Sequence, residues 1–70
     1  MGSIVKVIEV IAQSEKGFDD AARTAVKEAA RTVKSIKSVW VDNLSCTVDG
    51  DKITEFRINA KISFLVEGHG

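Results

Sequence analysis

Cysteine, histidine and aromatic residues are scarce in this sequence, and neither sign of charge is in excess. Each scarcity excludes something. The single cysteine, Cys46, cannot close an internal disulfide, and with His69 it offers no metal-ligand spacing. It reads as a small buried hydrophobe and not as a reactive thiol. Ten basic residues balance ten acidic ones, which argues against a general nucleic-acid or membrane-surface binder. Aromatics amount to 6%, and no GxxG loop accompanies a basic face, so an RNA-binding module is disfavoured too. No apolar run approaches the ~18 residues of a spanning helix, and the start "MGSIVKV" lacks a signal-peptide pattern. A cytoplasmic location is therefore expected. There is no Ser-His-Asp set, no catalytic-cysteine setting, no P-loop and no GxGxxG, and the chain is not expected to be an enzyme. A catalytic role for His69, in the tail "EGHG", is not expected either, and that tail is expected to fray.

Residues 1–70 make one domain at most. A chain of this size buries only about 60% of the surface its unfolded form exposes, so it needs a staple or a partner. Disulfides and metals being absent from the pattern, self-association is the remaining staple.

The residues that are present divide cleanly. "SIVKVIEVIA" (3–12) is rich in Val and Ile and reads as a strand. Its apolar residues fall on both parities, the pattern of a strand covered on both faces. After "QSEKG", Phe18, Ala22, Val26, Ala29, Val33 and Ile36 recur at steps of four and three, one apolar stripe on a helix. Gly17 serves as N-cap, and Asp19 and Asp20 put negative charge in the first turn, where the helix dipole favours it. Arg31, Lys34 and Lys37 favour the other end, and Asp19 and Arg23 are spaced as an i,i+4 pair. The alanines imply close packing on a sheet.

In "SVWVDNLSCTV" (38–48), Val39 and Val41 share one parity, while Leu44, Cys46 and Val48 share the other. That switch predicts a β-bulge near Asp42 and Asn43, returning the later residues to the core face. Ser38 and Trp40 then point away from the core. Asp49-Gly50 signals a hairpin. In the last strand Phe56, Ile58, Ala60, Ile62, Phe64 and Val66 alternate with polar residues, one face under the helix and one polar. The expected fold is α+β: a β-α-β-β protomer with a three-stranded antiparallel sheet and one helix. An exposed tryptophan on the uncovered face marks a contact surface, for another chain or a ligand.

The order, spacing and length of "VKVIEVIAQS", "AARTAVKEAARTV" and "DGDKITEFRINAKISF" resemble the dodecin family over nearly the whole chain. The resemblance implies a sheet that partly wraps its helix, and assembly into a hollow homododecamer whose neighbouring chains cover the second face. It further implies flavin bound between chains across a two-fold axis, stacked on tryptophan and hydrogen-bonded by a glutamine of the last strand. The implied role is storage and protection of riboflavin or FMN, with the indole quenching the excited ring.

Two positions depart from the family pattern. Aligned without gaps, the stacking tryptophan falls on Ser38 and the glutamine on Arg57. Trp40 projects from the same face about 7 Å further along the strand. Arg57 keeps donors but loses glutamine's acceptor, which matters for the flavin imide N–H. The cofactor-binding residues expected for flavin are thus Ser38, Trp40, Asn43 and Arg57. Two other readings stand beside this one. Trp40 fills only an inter-chain contact, or the cage has lost flavin and holds another anion or ion. Arg57 and Lys61, four apart on one strand face, suit a phosphate-bearing cofactor. Glu9, Asp42 and Glu55 would suit a hard divalent ion if assembly gathered them.

Overall fold

The computed structural model describes residues 2–66. His69 and the rest of the expected fraying tail lie outside them. The elements are β1 (Ile4–Ser14), α1 (Phe18–Ala29), β2 (Ile36–Asp49) and β3 (Lys52–Val66). The strands form one antiparallel sheet in the order β1-β3-β2. The longest and most regularly alternating strand, β3, is therefore central. Gly50 takes the left-handed backbone of the hairpin turn, φ 67°, where a Cβ would be strained.

Antiparallel pairing puts directly opposed residues on the same face. The rungs Ile8–Ile62–Val39 and Val10–Ala60–Val41 belong to the inner face, and Ala12–Ile58 continues it. On this face Ala12, Ala21, Ala25, Ile58, Ala60 and Ile62 are buried, with Phe18, Ala22, Ala29, Ile36 and Val39 packed around them. Ala21 and Ala25 bring the helix backbone close to the sheet. Phe18 meets Phe56 edge to face, centroids 5.1 Å apart, a pairing worth about 0.5–1.5 kcal/mol beyond burial. The Ser14 hydroxyl donates to Asp20 (2.6 Å) and accepts from the Lys16 backbone N–H (2.9 Å), fastening the end of β1 to the first turn of α1.

Three expectations need correction. The helix ends at Ala29, so Val33 and Ile36 are not on it. Arg31 and Thr32 instead donate to carbonyls three residues back, and Ser35 at φ 59° redirects the chain into β2. Only Lys27 is left as a basic residue of the last turn. The centre of the buried stripe is Ala21 and Ala25, while Ala22 and Val26 sit on its flank, half-buried. Beside them Ala22, Arg23, Val26, Lys27 and Val39 line an open groove of about 470 Å³.

The bulge is where it was expected. The β2–β3 register shifts between Asp42 and Ser45, and Asn43 has φ 44°. Cys46 returns to the core face opposite Phe56, half-buried. Leu44 and Val48 do not become buried. The reason is reach. A 12-residue helix spans about 18 Å, whereas the molecule is 55 Å long because its strands are extended. Ile4, Val48 and Ile53 lie toward the ends of the sheet and stay exposed, as does Leu44 in the bulge. The helix covers one face only, so one chain alone leaves the outer side of β1 (Val5, Val7 and Ile11) in solvent.

Candidate functional site

The outer face of the sheet carries the expected site residues in an order fixed by the register. Its successive rungs are Val7–Ser63–Ser38, Glu9–Lys61–Trp40, Ile11–Asn59–Asp42 and Gln13–Arg57–Ser45. Ser38, Trp40 and Arg57 therefore share one face. Asn43 is the bulge residue, exposed and without a partner across β3.

Trp40 is 59% exposed, far more than an indole placed to fill a protomer core. It stands beside Lys61, whose ammonium lies 3.7 Å from the Asp42 carboxylate. Both partners are about half in solvent, so this ion pair adds little stability. Trp40, Asp42 and Lys61 line an open hollow of about 320 Å³. One rung away the side chains are small. Ser38 and Ser63 share a hydroxyl–hydroxyl hydrogen bond of 2.5 Å, so the face steps down from the indole at the position where the family pattern has bulk.

Arg57 lies at the other end of this surface, four residues from Lys61 along β3, or about 13–14 Å at strand spacing. Its Nε and Nη2 both donate to Oε1 of Gln13, at 3.1 and 3.0 Å. This glutamine was not among the expected site residues. It is 44 positions from Arg57, and only the β1–β3 register brings the two together. The contact consumes the amide oxygen, leaving both N–H groups of Nη1, the second N–H of Nη2 and the Gln13 amide nitrogen as donors. Among the described residues Arg57 makes no ion pair.

The acidic residues proposed for a divalent ion are spread along the face. Glu9 is in the rung of Lys61, Asp42 opposes Asn59, and Glu55 opposes Thr47. Among the described residues of one chain, no three His, Cys, Asp or Glu side chains gather to hold a metal ion. No helix among the described residues is long and apolar enough to cross a membrane. On the helix, the Asp19 carboxyl is held below its usual range, chiefly by its hydrogen bond from Arg23.

A family model described as Dodecin matches residues 4–67. The curated dodecin of Thermus thermophilus is 24% identical over 67 residues, covering 96% of this chain and 97% of its own. The dodecin structure from Streptomyces coelicolor superposes with a TM-score of 0.90 at 24% identity, over 96% of each chain. A crystal structure from Mycobacterium tuberculosis is 32% identical, with a TM-score of 0.81 over 97% of each chain. That protein is described as a calcium-chelating immunodominant antigen, calcium dodecin, with a novel calcium-binding site.

Proposed function

The chain belongs to the dodecin family of small binding proteins, and from that premise we propose that it is a cytoplasmic homododecamer that binds and stores flavin, as riboflavin or FMN. Residues 1–70 act as a single domain in this reading, and binding rather than turnover is the function. The observation that carries it is Trp40, 59% exposed, at the edge of a hollow and next to the low Ser38–Ser63 rung. An indole so placed offers a flat face to an aromatic ring. Ser38 supplies a small polar contact on the next rung, Asn43 one from the bulge further along β2, and Arg57 supplies donors. Self-association fits the apolar side chains that one chain leaves in solvent, among them Val5, Val7 and Ile11.

The test is titration of the undenatured protein with riboflavin. Trp40 is the only tryptophan, so stacking should quench its emission together with the flavin's, saturating at a fixed stoichiometry. Trp40→Ala should weaken binding by about 1–3 kcal/mol, the scale of one aromatic stacking platform. Native mass spectrometry should give a single species of twelve chains. Unchanged tryptophan emission after inner-filter correction refutes the flavin reading, and a monodisperse monomer refutes the assembly.

A second reading is favoured by the calcium dodecin of M. tuberculosis, at 32% identity. The cage then holds a divalent ion, or another anionic cofactor, in place of flavin. Glu9, Asp42 and Glu55 lie along the outer face, where symmetry-related copies would have to bring them together. Calorimetric titration with calcium, alongside the riboflavin titration, distinguishes the two.

A further inference from the structure

We propose that the β2–β3 hairpin of one chain docks into the groove between α1 and β2 of a second copy. This rests on the self-association in the reading above and names the two surfaces that meet.

The groove is the part of the inner face that the helix leaves open. The helix packs mainly on β1 and β3 and reaches β2 least. Ala22 and Val26 on its flank, with Val39 of β2, give an apolar floor of half-buried side chains. About 470 Å³ stays open above this floor, and the exposed Arg23 and Lys27 complete the lining. Apolar side chains placed there would leave water on both sides of the contact.

The hairpin carries the matching group. Val48 and Ile53 oppose each other across it, so they share one face. They are 63% and 57% exposed, an aliphatic pair that their own chain leaves mostly in solvent. Asp49 and Asp51 stand beside them, on either side of Gly50. Among the described residues neither aspartate makes an ion pair, although Lys52 is opposite Asp49. Lys27 makes none either, whereas Arg23 is shared with Asp19. An apolar pair flanked by carboxylates thus faces an apolar floor flanked by cations. Complementary charge of this kind fixes how two surfaces dock.

The occupant has to be another copy. Ile53 lies about 30 Å along β3 from Ile62, which shares a rung with Val39. A hairpin therefore never reaches its own groove. Each chain offers one hairpin and one groove, so a closed assembly leaves neither unfilled.

The experiment places one cysteine on each surface, Val26→Cys and Ile53→Cys, with Cys46→Ala removing the native thiol. A disulfide needs Cα atoms about 4.4–6.8 Å apart, far less than the span within one chain, so any bond formed joins two chains. Mild oxidation of the assembled protein should give covalent dimers or higher species on a non-reducing gel. Either cysteine alone should give less than about a tenth of that yield, because neither surface meets its own copy. The charges are tested without any new cysteine, by dilution and native mass spectrometry at low salt. Lys27→Glu should raise the concentration of half-dissociation by about fivefold, and Asp51→Lys in the same chain should recover it. If the protein assembles but the paired cysteines stay unlinked, or single cysteines link equally well, the docking is overturned and the assembly stands. A Lys27→Glu loss that Asp51→Lys leaves unrecovered overturns it too. A wild-type chain that stays monomeric overturns docking and assembly together.

Discussion

Ile62 offers the sharpest test of how the protomer holds together. It is fully buried in the central strand, flanked by Ile8 and Val39 in its rung and part of one core cluster with Ala21 and Ala25. Truncation to alanine removes three carbons, about 2.4 kcal/mol at roughly 0.8 per buried methylene. A cavity term adds to this, because paired strands on both sides and helix alanines above leave little room for collapse. The total should be about 3–4 kcal/mol, within the ~2–5 seen for such truncations. At about 0.05–0.15 kcal/mol per residue, a chain this short holds about 4–10 kcal/mol in all. Ile62→Ala should therefore remove about a third or more of the stability, and Ile62→Val, costing about 1 kcal/mol, is the milder quantitative variant. The control is Ile53→Ala. Ile53 is 57% exposed in the protomer, so its truncation should cost under about 1 kcal/mol within one chain. Any larger loss must come from contact with another copy, and must then depend on protein concentration. Urea denaturation followed by circular dichroism at three concentrations reads both. An unchanged midpoint for Ile62→Val, or a large concentration-independent loss for Ile53→Ala, would refute this account of the core.

Two further tests address local structure. Asn43 has φ 44°, so Asn43→Gly should leave the thermal midpoint unchanged or raised, while Asn43→Ala should cost about 1 kcal/mol; equal effects would mean the bulge relaxes. Asp19 has a pKa lowered from 3.8, chiefly by the Arg23 hydrogen bond, so its favourable contribution is present above the unfolded value and is lost as pH falls through the depressed one. Arg23→Gln should return the Asp19 carboxyl toward its ordinary titration by NMR, and an unmoved curve would contradict the pairing.

Elements whose period matches their burial were legible in the sequence. β3 alternates strictly and is covered by a helix on one side only, so parity alone gave its buried face. The bulge was legible because Val41 and Leu44 differ in parity with no turn between them. The helix end was not. Val33 and Ile36 continue the 3–4 spacing by coincidence: Val33 lies in the connection after the helix, and Ile36 packs against the core from the start of β2. Nothing in their spacing separates that from two more helical turns. The choice of Ala22 over Ala21 failed for a related reason. In "DDAARTAVKEAA" alanine pairs make two adjacent stripes possible, and the approach angle to the sheet decides between them.

The site was legible in its face but not in its neighbours. Alternation sends Ser38, Trp40 and Arg57 outward, and the register agrees. What alternation cannot supply is who stands across the strand. Arg57 read alone is a donor where the family pattern has an amide. Paired with Gln13 it is a guanidinium held in place by an amide, whose oxygen is already taken. That difference changes which ligand atoms the surface can accept. It follows from a pairing between β1 and β3 that skips the whole of the helix and β2. Sequence reasoning could have found it by laying β1 antiparallel to β3 under the constraint that Ala12 and Ile58 stand directly opposite each other on the core face. This constraint sets the register, and the register then brings Gln13 to Arg57 without further assumption.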